Sequence, residues 1–450
     1  MLAPVWGPAA PNRRDPANCR YTESSRVPSF HLQNFGCRAN QADGAALAAA
    51  LQAAGCAPQS APAAADWIVL NTCTVTGAAD AEARRAIRRL HRRHPQARIA
   101  VTGCYAQRAP EEVAALPGVA VVAGHAEKLD LARRLVPAAQ LFAAPKLAAA
   151  ALLERARPVL KVQDGCDRRC SYCVIPSVRG VSRSVPLGAV LAQAEALVAA
   201  GHPELVLSGI NLGQWGRDLG EGLSLADLIR ALLERTPLRR LRISSIEPLD
   251  FTPGLMQALD DTRIARHFHL PLQSGADSVL ARMHRRYRAR DFARLISDLH
   301  SRHPLAALGT DVIVGFPGES ETEFAETYAL ISRLPLAYLH VFPFSERPGT
   351  AAAERLAAGA WQPVRAQAIE ARRAALARLG AAKRAEFLAG LVGQVLEVVT
   401  LNDTHAAGTW GMSDNYARVA LPVALAPGQL CPVRITGFHE QHLDCEVPAA

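Results

Sequence analysis

Cys166, Cys170 and Cys173 fall within the stretch KVQDGCDRRCSYCVIPSVRG (161–180), and no fourth cysteine lies near them. Sites built for electron transfer or structure usually fill every coordination position with protein ligands. A cubic four-iron cluster held by three thiolates instead keeps one iron open to an exogenous ligand, and spacings of three and two residues let one tight loop turn three sulfurs inward. The alternative is a zinc site completed by a distant histidine. A second set, Cys37 in FGCRANQADG, Cys73 in LNTCTVTGAAD and Cys104 in VTGCYAQR, is dispersed, but each cysteine ends an apolar run and precedes a helical pattern. Each alone would read as a buried core thiol. Loops that follow parallel strands gather along one sheet edge, where the three could become neighbours. Cys19, Cys56, Cys431 and Cys445 match no ligand position.

The elements that must position these residues follow from periodicity. Between 158 and 344 six apolar runs, PVLKVQ, ELVLSGI, RRLRISS, HFHLPL, LGTDVIVGF and AYLHVFPF, alternate with segments carrying apolar residues at three- and four-residue spacing. Strands joined by helical crossovers give a parallel sheet, open or curled into a partial barrel, with its chemistry at the carboxyl ends of the strands. The loop of Cys166 follows the first of these strands. Residues 29–147 show the same alternation and form a separate α/β unit; 1–28 read as a flexible extension. After one or two linking helices the period changes to two in QVLEVVTL, YARVALP and CPVRITGF, so 381–450 predict a small all-β barrel, an architecture often used to hold nucleic acid. The fold class expected is therefore α/β, with a central unit over 148–380 between the other two.

At 450 residues, half of them hydrophobic, the chain has room for two or three cored domains. No uncharged apolar run approaches ~20 residues, so no membrane partner is expected. The N-terminus lacks the basic-then-apolar pattern of a secretory signal, and ten cysteines without an export signal predict reduced thiols in the cytoplasm. The net charge of +9 gathers in RRAIRRLHRRHPQAR (84–98) and RMHRRYRARDFAR (282–294). Like charges at helical i, i+4 spacing repel unless an anion neutralises them; the readings are phosphate contact with nucleic acid or a solvated helix face.

The loop CDRRCSYC, with Tyr172 before its last cysteine, resembles that of the radical S-adenosylmethionine superfamily. The resemblance implies that the open iron takes the amino and carboxylate groups of S-adenosylmethionine, whose reductive cleavage gives a 5′-deoxyadenosyl radical. The trio Cys37, Cys73 and Cys104 resembles that of the methylthiotransferases, and the match extends through SGINLGQWG, RISSIEP, LPLQSGADSVLARMHRRY, TDVIVGFPGESETEF and VFPFSERPGTAA. It implies two [4Fe-4S] clusters, S-adenosylmethionine contacts at Tyr172, Gly209, Ser245 and Gln273, and a terminal barrel similar to the TRAM domain. Turn chemistry would equally explain Gly209, Ser245 and Gln273. The implied activity adds a methylthio group to C2 of an adenosine in the tRNA anticodon stem-loop, drawing electrons from a donor such as a flavodoxin or ferredoxin. GCRANQADG resembles the branch acting on N6-threonylcarbamoyladenosine more than that acting on N6-isopentenyladenosine; a third branch modifies ribosomal protein S12, which suits a basic chain poorly. A non-catalytic iron–sulfur RNA-binding or electron-transfer protein would be expected to fill both clusters' fourth positions. A radical methyltransferase without sulfur insertion would not need the N-terminal trio.

Overall fold

The computed structural model describes residues 28–135 and 156–447. The extension expected over 1–28, apart from residue 28, the boundary at 147, and Cys19 lie outside the described residues.

Five parallel strands form the first sheet: β1 (Ser29–Asn34), β2 (Ala57–Pro58), β3 (Trp67–Thr72), β4 (Arg98–Gly103) and β5 (Val119–Val122), in the order β2-β1-β3-β4-β5. Every residue of β3 is buried, because helices cover both faces of the sheet. Leu47 and Leu51 of the helix Arg38–Ala53 pack with Trp67 and Val69 on one side. On the other, Ile87 and Leu90 of the helix Gly77–Arg93 pack with Ile68 and Leu70. The register sets Asn34 opposite Asn71 and Thr72 opposite Gly103, so the chain leaves β1, β3 and β4 at one level.

The six strands expected in the central unit all form: β6 (Val159–Asp164), β8 (Glu204–Gly209), β9 (Arg240–Ile243), β10 (His267–His269), β11 (Ala307–Val314) and β12 (Tyr338–Pro343), with β7 (Arg183–Ser184) as an antiparallel edge beside β6. They divide into sheets β7-β6-β8-β9 and β10-β11-β12. A hydrogen bond from Ile246 N to the His269 carbonyl (3.0 Å) and a bridge between Leu241 and Ile264 carry the curl from one to the other, giving a partial barrel. Helices Leu187–Ala199, Leu225–Arg235, Ala289–Arg302 and Glu321–Arg333 contribute to the shared core outside it.

Strands β13 (Val395–His405), β14 (Gly408–Ser413), β15 (Arg418–Leu421), β16 (Leu430–Phe438) and β17 (His442–Glu446) close a barrel around Leu396, Val398, Val419, Val433 and Leu443. β14 escapes period-two reading because Gly411 stands at a core position: a Cβ there would lie 2.2 Å from Val398 Cγ1. The helix Ala366–Ala389 carries Leu376 into the central core and Leu388 into that of the terminal barrel, so residue 380 lies within one continuous helix. No helix among the described residues is long and apolar enough to cross a membrane.

Candidate active site

At the end of β6, Gly165 has φ +70°, and a Cβ on it would sit 1.9 Å from the Val181 carbonyl oxygen; only glycine lets the cysteine loop start here. Cys166 N then bonds to the Gly180 carbonyl (3.0 Å), Cys173 N to that of Cys170 (3.1 Å), and Ser171 N to that of Met283 (3.1 Å). Gln163 braces the turn, donating to the Gly165 carbonyl (2.9 Å) and accepting from Asn211 N (2.8 Å). The sulfurs face polar hydrogens: Asn211 Nδ2 lies 3.6 Å from Cys166 Sγ and an Arg285 nitrogen 3.5 Å from Cys170 Sγ. Burial, with the neighbouring Cys170 and Cys166 adding to it, pushes the Cys173 thiol up to about 12.

The loops after β1, β3 and β4 bring the second trio together. Gly36 has φ +92°, and a Cβ there would lie 2.8 Å from Cys73 Sγ, so the loop bearing Cys37 presses directly on Cys73. Cys104 opens the short helix Cys104–Arg108 after Gly103, at φ +97°. Cys73 and Cys104 are buried and Cys37 is exposed. Burial raises Cys73 to about 11, and Cys37 and Cys104 each add to that rise, as mutually close thiols must. All six cysteines are free. Among the described residues, the groups whose ligand atoms all lie within 4.8 Å of one another include neither trio. A single zinc ion would draw its thiolates closer than that, whereas in a cubic cluster each thiolate binds a different iron.

Of the other expected contacts, Tyr172 belongs to the first loop and Gly209 touches its brace, whereas Ser245 and Gln273 follow β9 and β10. The Tyr172 ring meets Phe316 edge-on, with centroids 6.5 Å apart. Gly209 ends β8 against Gln163, whose Cβ a side chain there would approach to 3.0 Å, so the position also serves the brace of the loop. Ser245 is exposed just past β9. Gln273 sits at φ +70°, its backbone bonded to Asp311 and Ile313. A cavity of about 780 Å³ opens beside Cys170, lined among others by Arg168, Arg169, Arg217 and Arg286.

Sequence reasoning missed the charged network between the two trios. Arg179, on the helix Ile175–Arg179 that follows the first loop, donates through Nε to Cys104 Sγ (3.2 Å) and reaches Asp164 (2.8 Å) and Asp43 (3.0 Å). Lys128 pairs with Asp43 (3.1 Å), Lys161 with both Asp43 and Asp164, and His125 with Asp164 (2.9 Å). Burial raises the Cys104 thiol, and the Arg179 charge and hydrogen bond oppose that rise. The signal available was the closeness of Arg179 to the cysteine motif. A second link joins Arg347 to Asp80 (2.5 Å) and Thr74 (2.8 Å), beside Cys73.

The basic segments differ in fate. On the helix Gly77–Arg93, Arg85, Arg88, Arg89, Arg92 and Arg93 are exposed opposite buried Ala83, Ala86, Ile87 and Leu90. In the second segment Arg282 pairs with Glu323 (2.9 Å) and buried Arg285 with Glu247 (2.5 Å), so these two are held internally, and Arg286, Arg288, Arg290 and Arg294 are exposed.

The lumen of the partial barrel is polar. Leu339 and Val341 pack toward the outer core, so Tyr338 and His340 face inward, joined by His267 (2.7 Å from the Tyr338 hydroxyl), His269 (2.9 Å) and Asp311. Half-buried Arg38, next to Cys37, donates to the hydroxyl of Tyr416 from the terminal barrel (3.0 Å), and Tyr416 stacks on His267 with centroids 4.1 Å apart.

Family models match two parts of the chain: residues 29–124 match uncharacterized protein family UPF0004, and 160–331 match the radical SAM superfamily. Over 342 residues the chain is 39% identical to the threonylcarbamoyladenosine tRNA methylthiotransferase MtaB of Bacillus subtilis, covering 72% of this chain and 75% of that one. It is 38% identical to a tRNA-2-methylthio-N(6)-dimethylallyladenosine synthase of a Parafrankia species, covering 72% and 69%. Its fold resembles that of the radical S-adenosylmethionine methyltransferase TsrM of Kitasatospora setae, with a TM-score of 0.56 at 16% identity over 74% of this chain and 78% of that one. With two cysteine trios on two domains and relatives of this identity and coverage, the chain belongs to the radical S-adenosylmethionine methylthiotransferase family.

Proposed function

We propose that this protein adds a methylthio group to C2 of N6-threonylcarbamoyladenosine in the anticodon stem-loop of tRNA. The observation that carries the reading is the presence of two separate trios of free cysteines, one on the 166–173 loop and one at three strand ends of another sheet. Cys166, Cys170 and Cys173 would hold one four-iron cluster, and Cys37, Cys73 and Cys104 the other. With S-adenosylmethionine bound, these groups supply the radical, the sulfur and the methyl needed at an aromatic C–H bond that offers neither acidity nor a leaving group. The chain supplies position. Gly165 and Gln163 shape the first loop, Asn211 and Arg285 point donors at its sulfurs, and Tyr172, Gly209, Ser245 and Gln273 would supply the S-adenosylmethionine contacts. The exposed arginines of the helix Gly77–Arg93 and the terminal barrel offer surfaces for tRNA, and a flavodoxin or ferredoxin is the class of donor that delivers single electrons.

Charge separates the two adenosine substrates, since the threonylcarbamoyl group carries a carboxylate and the isopentenyl group none. Arg38 has no carboxylate partner among the described residues and stands beside Cys37 in a polar lumen, which supports the charged substrate. The test is nucleoside mass spectrometry after reaction of the reconstituted enzyme with tRNAs carrying either modification. Methylthiolation of the threonylcarbamoyl tRNA is expected, with that preference weakened by Arg38→Gln. Product on isopentenyl tRNA alone would install the second reading, which the Parafrankia relative favours.

A further inference from the structure

The guanidinium of Arg179 is one of the points where the two units that carry the cysteine trios meet. Its side chain is 1% exposed. Nε donates to Cys104 Sγ (3.2 Å); one terminal nitrogen reaches Asp164 (2.8 Å) and His125 (3.5 Å), and the other Asn40 (3.3 Å) and Asp43 (3.0 Å). Asn40, Asp43, Cys104 and His125 belong to the N-terminal sheet unit, whereas Asp164 ends β6, two residues before Cys166. A planar fork with several fixed donors can bind all of these at once; a lysine cannot.

The network also has a charge imbalance. Arg179, Lys128 and Lys161 are three cations against two carboxylates, Asp43 and Asp164, which leaves one surplus positive charge in a buried setting next to Cys104. An uncompensated buried cation is costly, and it becomes favourable when a negative group lies alongside. A cluster carrying three thiolates is such a group, and hydrogen bonds to cluster sulfurs are among the means by which proteins set its potential.

We propose that Arg179 is a positioning residue for the auxiliary cluster: it holds the Cys104 sulfur through a charge-assisted hydrogen bond and fixes the N-terminal unit against the barrel loop that carries the other trio. The inference rests on the reading that Cys37, Cys73 and Cys104 hold a cluster. Reduction adds negative charge to that cluster, so a buried cation donating to its ligand stabilises the reduced form and raises the potential. Removing the donor lowers it.

The experiment uses the full chain with Cys166, Cys170 and Cys173 replaced by Ala, so that only the auxiliary cluster contributes. After anaerobic reconstitution, iron and sulfide are quantified and the midpoint potential is read from an EPR-monitored titration for Arg179, Arg179→Gln and Arg179→Lys. The expected result is retained iron with a potential lowest for Gln and intermediate for Lys. Equal potentials in all three overturn the inference. If Arg179→Gln does not fold, Arg179→Lys decides: a lower potential supports the role, and one equal to that of Arg179 removes it. If the Arg179 parent holds no iron, the cluster assignment itself fails, an outcome distinct from a cluster whose potential ignores residue 179.

Discussion

The two cysteine trios reach similar arrangements by opposite routes. Cys166, Cys170 and Cys173 lie on one loop whose shape is set chiefly by its own glycine, by backbone bonds to Gly180 and within the loop, and by one bracing glutamine, with Met283 as a distant anchor. Cys37, Cys73 and Cys104 share no local contact in sequence, and they meet because β1, β3 and β4 are parallel, in register and end at one level. The first keeps its three thiols within eight positions of one loop. The second exists only while the sheet does, and glycines at 36 and 103 mark where its loops pass too close for a side chain. The comparison teaches that a local site carries its own geometry, whereas a distributed site borrows it from the core beneath.

The strongest way to break the comparison is to remove one thiol from each trio. Cys170→Ala should abolish 5′-deoxyadenosine formation from S-adenosylmethionine and leave the iron bound by the N-terminal unit; normal cleavage by that variant would sink the assignment of the loop. Cys73→Ala should do the converse, still cleaving S-adenosylmethionine while yielding no methylthiolated tRNA. Both products are quantified on one reconstituted sample, and wild-type methylthiolation by Cys73→Ala would make the N-terminal trio structural.

A smaller effect, on stability, sharpens the contrast with a purely structural charge cluster at the other domain boundary. Fully buried Glu204 binds Arg242 (2.8 Å) and Arg240 (3.0 Å), and Arg242 in turn donates to the Ser413 carbonyl of the terminal barrel (2.9 Å). Burial works to raise the Glu204 pKa, but Arg242, Arg157 and Arg240 outweigh it and hold the carboxyl at about 2. A folded pKa below the unfolded one stabilises above the unfolded value, so this contribution should fade as pH falls from about 4.5 toward 2. Glu204→Gln leaves buried Arg242 without a carboxylate, although Arg240 keeps Glu397 (2.6 Å), and should cost about 3–5 kcal/mol at neutral pH. Denaturant titration of both proteins should show the difference shrinking on acidification, while iron content per folded chain stays unchanged. A difference that does not vary with pH would assign the cost to packing alone.

The smallest expected effect concerns the exposed helix face. Each neutralised phosphate releases counterions, so tRNA affinity should fall steeply with salt, and Arg88→Ala with Arg92→Ala should flatten that dependence by a slope of about 2. An unaltered slope would return these arginines to an ordinary solvated face.

Much of this was legible beforehand because its signals are local. The strand runs, the helix periods and the Cys-x3-Cys-x2-Cys spacing are set by residues a few positions apart, and all six central strands formed where the apolar runs lay. Strand β14 was not legible, since Thr409, Gly411 and Ser413 stand at its buried positions in place of alternating apolar residues, and at 411 Val398 comes too close for a side chain. Charge density alone did not separate surface arginines from internal ones: Arg285 and Arg286 are adjacent, yet the first is buried on Glu247 and the second exposed.

By itself, then, the sequence determined which residues could ligate iron, which runs would become strands, and that three units follow one another along the chain. Only tertiary structure decided that Cys37, Cys73 and Cys104 gather, that Arg179 crosses from one unit to the sulfur of another, and that Arg38 and Tyr416 meet in the barrel lumen although 378 residues separate them. The reason is physical. Backbone conformation responds to neighbours along the chain, whereas the pairing of buried charges and thiols depends on which strands end together, and that is settled by the packing of the whole core.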